Sequence, residues 1–272
     1  MIFPYTNTGD GMNALITGGT SGIGYDLALK LIKNGHFVYL CVHNDKEIRT
    51  VIDKLKDISY QDRVSVIKLD ILKKSNRKLI NALDIDCLVL NAAVGIGGSL
   101  VNMDVDDIRY NFEVNFFSNL EMIKMYIKSR GLKKSKIVVV SSMAGIFSIP
   151  FLGSYCSSKA ALSTFVTCLK RELDTSKLNI SIKIIEPGTY KTGFNQIMID
   201  NKNELSSTLF NSSMTKISSN QRKLFSFLEY DDLSSVSNKI YSAIVSDNEK
   251  KLMYRVPLIQ SVFSKLYMLF VK

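Results

Sequence analysis

Metal-binding and disulfide patterns are missing from this chain of 272 residues. Its four cysteines, Cys41, Cys87, Cys156 and Cys168, lie far apart, with no Cys-x-x-Cys and no His-x-x-x-His beside them. That excludes a disulfide framework and the usual zinc spacings, and it suits a reducing compartment. Cys41, Cys87 and Cys168 stand in apolar runs and read as buried small hydrophobes. His36 and His43 are isolated, so no metal site is expected. Proline is scarce, at 4 residues, while 46% of the chain is hydrophobic; one α/β domain with a sizeable core fits this better than two. The opening "MIFPYTNTGDG" lacks the basic start and apolar run of a signal peptide, so a cytoplasmic protein is expected.

Charge is what the chain has in excess, a formal net +10. The lysines fall in scattered pairs, Lys73-Lys74, Lys133-Lys134 and Lys250-Lys251, not in one arm or helix. Solvated helix ends and loops are the expected reading, with no nucleic-acid partner. Attraction to an anionic cofactor or a membrane surface is the remaining use for such a balance.

Short apolar strands alternate with helical patterns. Strands are expected at 13–19, 37–42, 64–70, 86–92, 136–142 and 180–188. Helices are expected at 23–34, across 104–129 and at 154–173. Strands apolar almost throughout and separated by helices imply a parallel sheet covered on both faces. The Ser/Asn-rich stretch 200–221 reads as a mobile loop with at most a short helix. Residues 1–11 read as an N-terminal extension, 12–250 as a single catalytic domain with a substrate loop at about 189–228, and 251–272 as a tail.

"TGGTSGIG" (17–24) joins the first strand to the first helix, with Gly18, Gly22 and Gly24 spaced Gly-x-x-x-Gly-x-Gly. A tight turn, close backbone approach to a pyrophosphate and free N–H groups at a positive helix end all need such glycines. Downstream come "LNAA" (90–93), Asn115 in "VNFFS", Ser142 in "SSMAG", Tyr155 and Lys159 in "YCSSK", and "EPGTYKT" (186–192). In this order the motifs, spanning about 12–245, resemble the short-chain dehydrogenase/reductases. The resemblance implies a Rossmann-like, doubly wound parallel sheet in three α/β/α layers, NAD(P)-dependent carbonyl–alcohol chemistry, and a homodimer or homotetramer. It places the cofactor on Thr17, Gly18, Thr20, Ser21, Gly22, Ile23 and Gly24, on Asn91, Ala92 and Ala93, and on Pro187, Gly188, Thr189 and Thr192. Asp70 with Ile71 matches the adenine position; an exposed strand-end carboxylate is the other reading of Asp70. At the end of the second strand, His43 and Asn44 stand where an acidic residue would favour NAD(H). NADP(H) is therefore expected, with NAD(H) the alternative because Asp45 follows.

Tyr155 and Lys159 are four apart on a helix and share a face. A free tyrosine titrates near 10, so a proton donor and acceptor at neutral pH needs a neighbouring ammonium to favour the phenolate. Lys159 is expected to supply it and, by resemblance, to bind the nicotinamide ribose. Ser142, at the end of the fifth strand, is expected to hydrogen-bond the carbonyl oxygen, with Ser141 the neighbouring alternative. By resemblance Asn115 holds a water in a proton relay; pinning the backbone is the other reading. Cys156 is expected to be an inert helix residue.

Substrate contacts are expected from 143–153, with Met143, Ile146, Phe147, Ile149, Pro150, Phe151 and Leu152. Others are expected from 189–228, with Phe194, Met198, Phe210, Met214, Phe225 and Phe227. These imply a hydrophobic carbonyl or alcohol, lipid-, acyl- or steroid-like. In the tail, Ile259, Val262, Phe263, Leu266 and Phe270 follow helical spacing. That stretch is too short to span a bilayer; it is read as lying on a membrane surface, covering the active site or packing on a partner subunit.

Overall fold

The computed structural model describes residues 11–200, 211–246 and 251–263, without the side chains of 211–215. Seven strands form one sheet: β1 (Asn13–Ile16), β2 (Phe37–Val42), β3 (Val64–Lys68), β4 (Cys87–Leu90), β5 (Ser135–Val140), β6 (Ile180–Pro187) and β7 (Met253–Val256). Their order is β3-β2-β1-β4-β5-β6-β7, and every pairing is parallel. Successive residues point to opposite faces, and both faces are buried. Ile16, Leu40, Val89 and Val138 pack on one side, Leu15, Tyr39, Leu88 and Ile137 on the other. Such strands read as continuous apolar runs, which is why the sequence shows them clearly.

The first face is covered by α1 (Gly22–Lys33), α2 (Asp45–Leu55) and, after the sixth strand, α10 (Ser234–Val245). Short turns α3 (Lys74–Arg77) and α4 (Leu79–Ala82) lead to the other face. There the chain runs through α5 (Val105–Phe112), a π-helical turn Glu113–Phe117, α6 (Ser118–Arg130) and the long α7 (Gly153–Thr175). Between β6 and α10 lie α8 (Phe194–Asp200) and α9 (Asn211–Leu228). The chain leaves β1 for one side and β4 for the other, so a crevice opens between their carboxyl ends, where open α/β sheets bind ligands.

Three expectations change. The stretch read as a loop at 200–221 is helical from Asn211, in α9, while 201–210 and the extension 1–10 lie outside the described residues. The buried positions of α9 are Ser218, Gln221 and Phe225. Their spacing is helical but two of the three are polar, so hydrophobic periodicity does not reveal it. The tail read from 251 begins with β7, inside the sheet, and a helix starts at 258. Cys168, read as buried, is exposed; two positions beyond Val166, it lies on the opposite side of α7 from that buried residue.

Candidate active site

The crevice is a cleft of about 530 Å³. At its floor the β1–α1 turn is held from β4. Thr17 Oγ1 accepts the N–H groups of Asn91 and Ala92, each at 3.0 Å. The Asn91 amide donates to the carbonyls of Thr17 and Gly18 at 3.1 and 3.0 Å. Gly18 has φ +69°, and a Cβ there would stand 2.8 Å from Ala92 Cα. Gly22 has φ +59°, and its Cβ would meet Thr192 at 3.1 Å. Both positions thus need glycine, for conformation and for closeness. Together they leave a backbone cradle at the start of α1 that faces the cleft with Thr20, Ser21 and Ile23. This cradle fits a dinucleotide pyrophosphate.

Of the residues assigned to the cofactor, Ala93, Asp70, Ile71, His43, Pro187, Gly188, Thr189 and Thr192 also line the cleft. Thr17, Gly24 and Asn44 do not form its wall. Thr17 acts through its bonds to β4, and Asn44 caps α2, accepting the Glu47 N–H at 3.0 Å. Asp70 is 8% exposed, 3.7 Å from both His43 Nδ1 and Lys73 Nζ. Its Oδ1 accepts the Leu72 N–H at 3.0 Å, so it is not the free strand-end carboxylate of the alternative reading. Glu47 is a wall residue that sequence reasoning missed. Its Oε2 accepts from the Thr20 hydroxyl at 2.6 Å and from the His43 N–H at 2.9 Å. The signal available was Asn44-x-x-Glu47, a capping-box spacing.

The residues expected to be catalytic lie at the other end. Tyr155 and Lys159 lie on α7 and Ser142 follows β5; all three line the cleft. The Ser142 hydroxyl faces the Tyr155 phenol closely enough to favour its ionised form, and its oxygen accepts the Ala144 N–H at 3.1 Å. Ser141 is turned away, its hydroxyl donating to the Lys159 carbonyl at 3.1 Å. Burial pushes the Tyr155 phenol well above its ordinary value; Ser142 pulls it down and nearby Cys156 pushes it up. Burial, not Lys159, dominates the phenol's shift. The Lys159 ammonium lies 5.9 Å from the Tyr155 ring centroid and donates to Val140 O at 3.2 Å. Its own value is lowered by burial to about 8, because the dry environment that raises a phenol disfavours an ammonium.

Asn115 lies in the π-helical turn, fully buried and away from the cleft wall. Its side chain accepts the Val94 N–H and donates to the Val94 carbonyl, both at 2.9 Å, and donates to Ser158 Oγ at 3.1 Å. It pins the segment after β4 against α7 next to Lys159, the backbone role weighed from the sequence. Beside Tyr155, Leu152, Cys156, Met198, Ile199 and Phe225 form a buried apolar cluster with Ile149 and Phe194 against it. The Phe194 ring centroid is 5.6 Å from that of Tyr155. Of these, Ile149, Phe194, Met198 and Phe225 line the cleft with Met143, as do Val94, Tyr110, Val114 and Ile197, which the sequence did not single out. Ile146, Phe147, Pro150, Phe151 and Leu152 do not form its wall, and Phe227 is 84% exposed. Phe210 and the Met214 side chain lie outside the described residues.

The sequence profile described as short chain dehydrogenase matches residues 12–203. The chain belongs to that family. This short-chain dehydrogenase is 31% identical over 196 residues to the probable short-chain type dehydrogenase/reductase VdlC of Helicobacter pylori, covering 69% of this chain and 68% of the relative. It is 31% identical over 195 residues to the 3-ketodihydrosphingosine reductase of Bacteroides thetaiotaomicron, covering 70% and 66%. The match thus spans about two thirds of these relatives' lengths. Its fold is that of a short-chain dehydrogenase/reductase from Burkholderia phymatum in complex with NAD, with TM-score 0.79 and 20% identity over 99% of this chain and 96% of the other. As a short-chain dehydrogenase it is an NAD(P)-binding oxidoreductase acting on CH–OH and C=O groups. Among the described residues no helix is long and apolar enough to cross a membrane, and no metal-binding cluster of His, Cys, Asp or Glu occurs.

Proposed function

We propose that the chain interconverts a carbonyl and a secondary or primary alcohol on a hydrophobic small molecule, lipid-, acyl- or steroid-like, with NADP(H). The observation that carries this reading is Tyr155 and Ser142 lining the cleft beside its apolar wall of Ile149, Phe194, Met198 and Phe225. A carbonyl whose oxygen meets the two hydroxyls would lay the rest of its molecule along that wall. That the Bacteroides relative is a 3-ketodihydrosphingosine reductase supports the same class.

Gly18, Thr20, Ser21 and Gly22 would hold the pyrophosphate, and Lys159, Thr189 and Thr192 the nicotinamide end. When bound, the nicotinamide supplies or accepts the hydride. Tyr155 gives its phenolic proton to the carbonyl oxygen in reduction and takes it back in oxidation. Ser142 donates a hydrogen bond to that oxygen as charge develops. Charged Lys159, held by Val140 O at the base of the site, lowers the cost of the phenolate that remains. Asn115 keeps α7 in register against the segment after β4, and Asn91 keeps the glycine turn open. The apolar cluster excludes water, which strengthens each of these interactions.

His43 favours NADP(H), while the Glu47 carboxylate at the same end opposes a 2′-phosphate. Glu47 is already engaged by Thr20, His43 and Asn44, which weakens its opposition and leaves NADP(H) the favoured cofactor. The test is oxidation of NADPH and of NADH, followed at 340 nm, against ketones and aldehydes graded by chain length. The reading expects kcat/KM to climb with chain length and to be higher with NADPH. Turnover confined to short polar carbonyls would sink the substrate class, and preference for NADH would sink the cofactor choice.

A membrane-surface enzyme is the second reading. Leu258, Ile259, Val262 and Phe263, at the start of the C-terminal helix, are all exposed, Leu258 by 77%. Such a face suits the headgroup–acyl boundary of a bilayer.

A further inference from the structure

Residues 189–200 leave the sheet after β6 and build α8, and residues 211–230 build α9 and return. The excursion has a narrow neck: the Lys191 N–H donates to Tyr230 O at 3.0 Å and the Tyr230 N–H to Thr189 O at 3.2 Å. Beyond the neck lie Phe194, Met198 and Phe225, most of the apolar wall beside Tyr155. Whatever sets the neck therefore sets the wall relative to Tyr155.

One side chain from the far end of the chain grips this neck. β7 runs beside β6, with Val256 opposite Pro187, and the Gly188 N–H donates to Val256 O at 2.7 Å. After Pro257 the C-terminal helix begins, and Gln260 folds back over Gly188. Gln260 Oε1 accepts the Thr189 N–H at 2.9 Å. Its Nε2 donates to Thr189 Oγ1 and to Leu228 O, each at 2.9 Å. The Thr189 hydroxyl donates in turn to Leu228 O at 3.1 Å. One amide thus joins the outgoing strand of the neck, at Thr189, to its return, at the end of α9. The approach is so close that a Cβ on Gly188 would lie 1.7 Å from Gln260 Oε1. Any larger residue after Pro187 would displace the Gln260 amide from this position.

We infer that Gln260 is a positioning residue of the active site, clasping the neck of the α8–α9 excursion so that the apolar substrate wall is held at its working distance from Tyr155. Simple packing of the tail does not account for it. A side chain needed only to fill space has no use for three directional bonds divided between two stems, and its neighbours Leu258, Ile259 and Phe263 are exposed. The ligand-facing part of the inference rests on the hydrophobic-carbonyl reading; the clasp itself does not.

Gln260→Met keeps length and packing and removes all three bonds. Gln260→Glu keeps an acceptor for the Thr189 N–H and loses the donors to Leu228 O and Thr189 Oγ1. Hydrogen exchange at single-amide resolution is read beside steady-state kinetics on long- and short-chain carbonyls. In Gln260→Met the Thr189 amide should exchange about ten-fold faster or more. KM for the longest carbonyl should rise by about ten-fold, with kcat within about three-fold and KM for a short carbonyl little changed. Gln260→Glu should keep Thr189 protected yet share the raised KM. Unchanged exchange and KM in Gln260→Met overturn the inference, and so does a uniform loss of kcat, which signals fewer folded molecules. Should the wild type turn over none of the carbonyls, the functional reading fails while the exchange data still decide the clasp.

Discussion

Lys159 carries an ammonium to a place with 2% exposure, where it makes one hydrogen bond, to Val140 O. Shifting a lysine from its ordinary value near 10.5 to about 8 corresponds to roughly 3 kcal/mol of disfavoured charge. The sign follows from linkage. Between pH 8 and 10.5 the unfolded chain binds the proton more tightly, so the folding penalty is complete below about 8 and fades as pH rises. Lys159→Met should therefore unfold later than wild type at pH 7, by up to about 3 kcal/mol in chemical denaturation, with the gap closing above pH 10. The same variant should lose turnover, the familiar exchange of activity for stability at a strained site. A less stable Lys159→Met at pH 7 would show that the ammonium is held by more than burial allows. In the wild type, kcat/KM for reduction should fall as pH passes about 8, where Lys159 gives up its charge. The chemical groups were legible in the sequence at this scale, because a Tyr and a Lys four apart on a helix must share a face. What burial does to them was not: the desolvation that raises the Tyr155 phenol comes from α8 and α9 closing over it, and no local spacing reports that.

Among elements, the glycine turn shows how a motif becomes geometry. Gly18→Ala forces a Cβ to 2.8 Å from Ala92 Cα and leaves alanine at φ +69°, a left-handed conformation that costs about 1–2 kcal/mol by itself. The β1–β4 contact must open, so NADPH and NADH should both bind at least about ten-fold more weakly in fluorescence titrations. Wild-type affinity in that variant would remove the turn from the cofactor site. The six strands from β1 to β6 were legible because each is apolar on both faces. α9 was not, because its inward positions Ser218 and Gln221 are polar. Gln221 earns its burial through a 2.9 Å bond to Pro150 O, a partner seventy-one residues away that periodicity cannot supply. β7, four residues long and containing Arg255, had the look of a tail for a similar reason: its charge is paired with Glu186 of β6, sixty-nine residues away.

That pair matters to the whole molecule. Arg255 Nε lies 2.7 Å from Glu186 Oε2, with Glu186 2% exposed and its other oxygen 2.9 Å from Ser163 Oγ. It fastens the last strand, and through it the C-terminal helix and Gln260, to the strand that ends at the nicotinamide segment. Removing one partner of a buried pair leaves an uncompensated charge and costs about 3–5 kcal/mol. Arg255→Met should lose that much in urea denaturation, and adding Glu186→Gln should restore most of it. A negligible loss would mean that β7 is an ornament of the sheet. Across the molecule, then, the sheet supplies a crevice, α7 and the end of β5 bring the hydroxyls to its end, and the later chain adds the apolar wall that the proposed function uses to select substrate. The central claim, that Tyr155 is the proton donor and acceptor of a carbonyl–alcohol reaction, is tested most directly by Tyr155→Phe. With the best carbonyl of the graded series, turnover should fall by about a thousand-fold or more, while NADPH binding stays within about three-fold of wild type. Turnover within ten-fold of wild type would contradict the account, because the phenolic proton would then have no part in the reaction.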